Sequence, residues 1–304
     1  MVVETVEHSQ EFNAGEVIIE HIANSSIDHP IIHFPQVFGI DLSVTKHVLM
    51  LWGVAAFLFV VITWTTRRYL QQERPIPTGF MNALEAVVEY IRDAIVRPNV
   101  GDRFLNTWTP LVLTFFVFIL SANAVGLIPI FEIIGTLDRF VLHTGPESLI
   151  NSVLHGGTTV TANYNVTAAL ATITFFSIII AGTKAHGFIG HWKNLAPSGL
   201  AWPIYIILVP IEIMGLLVKP FALTMRLAAN MVGGHIAILS ILSFVFIFSE
   251  LAQNAVVGVG VGVVVAVPLA VAISALEIIV VLVQAYVFTL LTAVFIGMAV
   301  NVHH

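Results

Sequence analysis

Cysteine is absent from the 304-residue chain. That excludes a disulfide-stapled scaffold, a thiol nucleophile and cysteine-ligated zinc or iron–sulfur centres, and it removes the usual clue to redox compartment. Charge is scarce as well: 10% of residues are Asp, Glu, Lys or Arg, against about 25% in a soluble domain. A water-soluble enzyme of this length is excluded on that ground. Basic residues are few in particular, 12 Lys and Arg against 18 Asp and Glu, so nothing here would grip nucleic acid. There is no glycine-rich phosphate loop and no Gly-x-Ser-x-Gly elbow, so no hydrolytic, nucleotide or cofactor site is visible. The start, MVVETVEHSQ, has neither basic residues nor an apolar core, and no signal peptide is expected.

What the chain has is apolar length. Hydrophobic residues make up 58%, and the mean hydropathy is +0.95. Windows nearly free of charge mark five membrane segments, at about 46–66, 106–131, 165–183, 202–249 and 255–302. The expected architecture is an all-α integral membrane protein, with an N-terminal segment over 1–44 and a membrane domain over 45–302. No solenoid-type repeat and no low-complexity tract interrupts it.

Basic residues set the orientation. Arg67, Arg68, Arg74, Arg92, Arg97 and Arg103 lie between the first two segments, and Lys184 and Lys193 between the third and fourth. Lys46 and Arg139 alone lie on the alternate side, and seven acidic but no basic residues precede Lys46. The positive-inside rule then places the N-terminus outside and the C-terminus in the cytoplasm. Within the inner loop, Leu84, Val87, Val88, Ile91 and Ile95 recur at helical spacing between charged residues. This predicts an amphipathic helix at about 80–97 on the cytoplasmic interface, a soluble connecting helix being the alternative.

The last two segments are too long to stand upright. Each approaches 50 residues, roughly 70 Å of helix, where about 20 residues span a bilayer. Pro210 and Pro220 can kink a helix without ending it. The two segments are expected to form a strongly tilted hairpin, with Gly258, Gly260 and Gly262 giving a thin face beside the turn.

Ionisable groups inside apolar helices are costly and usually functional. With Arg226 at zero, Glu212 falls at roughly +40°, Lys219 at +20°, Asn230 at +40° and Gly233 at −20° around the helix, one polar stripe. His235 falls on the opposite face, roughly 13 Å further along. Glu277 and Gln284 share a face of the last helix. An antiparallel hairpin would set Gln284 near Arg226 and bring Glu277 to His235. Each residue also has a plain structural reading. Arg226 could pair with Glu212 or cap carbonyls, His235 could be a hydrogen-bonded packing residue, Glu277 a surface group, and Glu212 and Lys219 could snorkel to the inner interface. His29 with His33, and His186 with His191, have spacings a metal could use, but no third ligand is evident.

The stretch KPFALTMRLAANMVGGH (Lys219–His235) resembles the signature of subunit a of the F-type ATP synthase. There an arginine is followed by leucine, by asparagine four residues after the arginine, and by glycine four further on. ALEIIVVLVQAYVFTLLTAVFIGMA resembles that family's last helix, and NAVGLIPIF and NYNVTAAL its helix ends around the outer loop. The resemblance covers about residues 40–302. It implies a non-catalytic, proton-translocating subunit, multi-pass in a bacterial inner membrane, working against a rotor ring of c subunits and held by peripheral-stalk b subunits. It implies that Arg226 faces the rotor, that Asn230 and Gln284 are its polar neighbours, and that Glu212 belongs to the cytoplasmic exit path. One feature departs from the common pattern: well-known members carry glutamate at the position of His235 and histidine at that of Glu277. A secondary transporter or ion channel is the alternative from another class, although no inverted repeat or broken helix is evident. A structural membrane scaffold is a third.

Overall fold

In the computed structural model the described residues are 43–71, 77–127, 159–194 and 202–301, with Gly15 and Ile19. The acidic N-terminal segment, His29 and His33, and the outer loop near 135–158 lie outside them. Every long element is helical. The elements are α1 (Lys46–Leu70), α2 (Phe80–Tyr90), a π-helical stretch (Ile91–Val96), α3 (Arg97–Val100), α4 (Leu105–Leu127) and a 3-10 turn (Val160–Ala162). Then follow α5 (Tyr164–His186), α6 (Phe188–Lys193), α7 (Trp202–Leu251), α8 (Ala255–Val261), a second π stretch (Gly262–Ala266) and α9 (Val267–Val300). Among the described residues five helical segments are long and apolar enough to cross a membrane: His47–Leu70, Leu105–Leu127, Tyr164–His186, Pro203–Leu251 and Ala255–Val300. The chain is an all-helical, multi-pass membrane protein.

Helix α7 runs unbroken for 50 residues through Pro210 and Pro220, about 75 Å. No hydrocarbon core of about 30 Å accommodates that upright, so it must lie far from the membrane normal. The turn to α8 is made by Gln253, at φ 49°, and by Asn254, whose side chain accepts a hydrogen bond from the Val256 amide at 2.9 Å. The returning rod packs close because its glycines present no side chain. A Cβ at Gly258 would overlap Ser249 and the Val245 carbonyl, and one at Gly262 would press on Val245. Gly260, expected on the same thin face, has open space around it.

Helix α9 is the centre of the bundle, packing on α4, α5 and α7. Phe115, Ile119, Ala171, Leu223, Leu227, Ala285 and Phe288 form one core cluster, with Phe115 edge-on to Phe288 at 5.5 Å between ring centroids. The inner-loop helix behaves differently from a purely surface-lying one. It continues to Val100, and Ile91, Ile95, Val96 and Val100 are buried with Trp108, Val112, Ile178, Ala293 and Ile296. Gly297 allows this: a Cβ there would overlap the Asn99 backbone carbonyl, which also accepts a hydrogen bond from Asn301 at 2.9 Å. The apolar stripe thus meets α9 and α4 over its second half, while charged Arg92, Asp93 and Arg97 stay exposed and ion-paired.

Candidate functional site

The polar residues of α7 separate by face. Glu212, Arg226, Asn230 and Gly233 are exposed on the outside of the bundle, with Lys219 half-buried beside them. Around Arg226 the same helix exposes Leu217, Val218, Phe221 and Met225. Across from it α9 exposes Ile278, Ile279, Leu282 and Val283. Among the described residues no ion pair involves Arg226. A lone cation on an apolar face is costly in a membrane, and no described residue of this chain supplies its counter-charge.

His235, half a turn away in angle, faces into the bundle. Its Nε2 is 2.7 Å from the Thr159 hydroxyl. The antiparallel register of α7 against α9 fixes the rest. Asn230 donates from Nδ2 to Gln284 Oε1 at 2.9 Å, so the amide expected near Arg226 bonds one turn further along α7. Seven residues back on α9, Glu277 lies against Gly234, whose missing side chain makes room for the carboxyl. Glu277 is 4% exposed, and its Oε1 is buried without a hydrogen-bond partner among the described residues. A buried carboxyl with a free oxygen costs stability unless it exchanges protons or water.

Sequence reasoning missed part of this outer region. Thr159, Thr161 and Asn123 are fully buried. Thr161 donates to Asn123 Oδ1, and Asn123 Nδ2 is buried without a partner among the described residues. Gly126 is required here, because a Cβ would overlap the Thr159 side chain. Neutral Thr and Asn in a helix end carry no charge signal; the available one was Asn123 and Gly126 breaking an apolar run. At the same end, a cleft of about 530 Å³ is lined by Thr45, His47, Asn163 and Asn165, among others.

The opposite end holds a second polar cleft of about 120 Å³, lined by Glu212, Lys219, His191 and Asn194 with Ile178, Leu216, Phe295, Met298 and Ala299. The Lys219 ammonium sits 5.4 Å from the centre of the Phe295 ring. Arg226 lies between the two polar regions, 14 residues or roughly 21 Å from Glu212 and nine residues or roughly 13 Å from His235. Among the described residues no three His, Cys, Asp or Glu side chains converge as a metal site. The arrangement is two polar regions separated along α7 by the Arg226 guanidinium.

Comparison with known proteins bears on this geometry. A protein-family model described as "ATP synthase A chain" matches residues 48–297. "ATP synthase subunit a 2" of Chlorobium luteolum is 40% identical over 296 residues, covering 94% of this chain and 76% of that protein. "ATP synthase subunit a 2" of Prosthecochloris aestuarii is 39% identical over 294 residues, covering 94% and 80%. "ATP synthase subunit a" of Pelodictyon phaeoclathratiforme is 38% identical over 303 residues, covering 96% and 77%.

Proposed function

The chain belongs to the ATP synthase A chain family, and from that membership we propose how its own residues carry protons as the stator of the ATP synthase membrane sector. The observation that carries the reading is Arg226: an exposed cation on an apolar face, without a counter-charge among the described residues, between two polar regions. A rotor ring of c subunits bearing mid-membrane carboxylates supplies that counter-charge, and the exposed apolar faces of α7 and α9 are where the ring runs. Peripheral-stalk b subunits hold the chain against the torque.

Protons enter from outside through the region of His235 and Glu277, with Thr159, Thr161 and Asn123 orienting water there. A rotor carboxylate becomes neutral, can face lipid, and moves with the ring. The proton leaves near Glu212 on the cytoplasmic side. The Arg226 guanidinium attracts the ionised rotor carboxylate and blocks a direct leak. Asn230 and Gln284, bonded to each other, hold the polar surface beside the guanidinium. Each proton falling through about 100 mV releases roughly 2.3 kcal/mol, and the ring's rotation transmits it. The chain performs no bond-making chemistry of its own. Its N-terminus lies outside and its C-terminus in the cytoplasm, in a bacterial inner membrane.

The experiment is Arg226→Ala in membrane vesicles. ATP synthesis should be abolished, while vesicles stripped of the soluble ATPase should still conduct protons passively. Normal ATP synthesis by the Arg226→Ala protein would refute the mechanism.

A further inference from the structure

The inner cleft contains a histidine to which this mechanism gives no role. His191 sits on α6, the short helix that follows α5 after the turn at Gly187, φ 76°. It is 5% exposed. Its ring lies directly over Gly182 of α5, where a Cβ would overlap Nδ1, Cε1 and Cγ. Its Nε2 is buried without a hydrogen-bond partner among the described residues. The same side chain lines the cleft with Glu212, Lys219 and Asn194. A buried imidazole nitrogen with no partner is unusual. Here it borders a polar cleft with room for water, and a glycine on the neighbouring helix makes the space for the ring.

We propose that His191 is a proton-carrying group at the inner end of the exit path, taking protons from water in the Glu212 cleft and releasing them to the cytoplasm. This rests on the reading that Glu212 belongs to that path. The step balances without another reactant: neutral imidazole accepts a proton on its free nitrogen and returns to neutral by losing one. The groups facing it are Glu212 and Lys219 from α7 and Asn194 beyond α6, with His186 at the end of α5; the lining residues of α9, Phe295, Met298 and Ala299, do not titrate. Burial, and next the nearby His186, lower the His191 pKa below the ordinary histidine value. The ring is therefore neutral at neutral cytoplasmic pH and ready to accept. His186 itself is exposed, with Nε2 2.9 Å from the Val300 carbonyl.

The test uses inverted vesicles carrying the whole complex with the soluble ATPase stripped off, so that the cytoplasmic side faces the bath. A potassium diffusion potential drives protons towards the bath, whose pH is varied from about 5 to 8 around the ordinary histidine value. Wild-type conduction should fall as bath pH drops through the lowered pKa, because the acceptor fills. His191→Gln should lose that limb and slow conduction by about tenfold. That is less than the hundredfold a positioned proton-transfer group contributes to its own step, since water takes over part of the transfer. His191→Ala should behave alike and recover when imidazole is added to the bath, which a packing role would not produce. The proposal is overturned if His191→Gln matches wild type in rate and pH profile. It is equally overturned if His191→Ala is slow but keeps the wild-type profile and ignores imidazole. Should neither variant assemble, a wild-type rate indifferent to bath pH overturns it. Glu212→Gln separates the two readings: if it is blocked while His191→Gln is normal, only the His191 role fails. If Glu212→Gln conducts normally while His191→Ala is slow and rescued, the Glu212 assignment fails instead.

Discussion

Gly234 is the position where one added methyl group most directly tests the outer proton region. A Cβ there would stand 3.0 Å from the Glu277 carboxyl carbon and 3.5 Å from its Cγ, with Oε1 closer still. Carbon atoms settle at about 3.5–4.0 Å, so in Gly234→Ala the carboxyl must retreat by about 0.5–1 Å. The obstacle is the end of a flexible side chain, so the stability cost should sit at the low end of overpacking, about 1 kcal/mol, and the complex should still assemble. Function should suffer more, because a reacting group misplaced by about 1 Å can lose up to a hundredfold in rate. Passive proton conduction by stripped vesicles should therefore fall at least about tenfold in Gly234→Ala. Glu277→Asp shortens the side chain by one methylene and withdraws the carboxyl from the new methyl. The double variant should conduct better than Gly234→Ala alone, a favourable coupling between touching sites. Gly53→Ala, at a position with nothing within 4 Å, is the control and should conduct normally. If Gly234→Ala conducts like wild type, or Glu277→Asp makes it worse, then the seat of Glu277 on Gly234 does not govern proton entry.

Exchanging both residues, His235→Glu with Glu277→His, should restore much of the flux that the single alanine variants lose; a double variant no better than the worse single one ends the idea that they act as a pair. Gly297→Ala forces a methyl onto the Asn99 carbonyl, which is backbone and cannot turn aside, so thermal denaturation of the purified complex should show a loss of about 1–3 kcal/mol, and an unchanged melting temperature would contradict that contact. Asn230→Leu should leave Gln284 buried without its donor and destabilise by about 1–3 kcal/mol, whereas Asn230→Leu with Gln284→Leu should be milder, as read by the same melts. The lowered pKa of His191 also has a sign in stability. Between that value and about 6.5 the unfolded chain binds a proton the folded chain does not, so stability should fall as pH drops through this window, and His191→Gln should remove the slope. For topology, cysteine labelling is clean because the chain has none; Gln10→Cys should react only from outside and Asp102→Cys only from the cytoplasm, and the reverse pattern would overturn the orientation.

The amino-acid sequence determined what depends on composition and local order. Scarce charge and long apolar runs fix a lipid-solvated helical protein, because backbone in lipid must pair internally and unbroken apolar runs of about 20 residues or more suit helices, where barrel strands are about half as long. The roughly 50-residue length of the fourth and fifth segments excluded an upright bundle by arithmetic alone. Helical periodicity was enough to put Glu212, Lys219, Arg226, Asn230 and Gly233 on one face and His235 on the other, since angle around a helix is set by residue number. Register between helices is not. Whether Gln284 meets Arg226 or Asn230 differs by one turn, and that turn is decided by how Leu223, Leu227, Ala285 and Phe288 interlock with α4. The burial of Ile91, Ile95 and Val96 against α9, rather than against lipid alone, depends equally on a partner surface that a single stripe cannot name. Thr159, Thr161 and Asn123 became visible only in three dimensions, and His191, legible in the chain only by its spacing from His186, was placed in the cleft there. Each is polar without a charge that stands out in the chain, and each matters through neighbours 38 to 76 residues away or through a glycine on another helix. Local spacing fixes angles and lengths; close packing between segments, where a methyl group more or less shifts a contact, fixes which polar groups share a depth and which are left facing water.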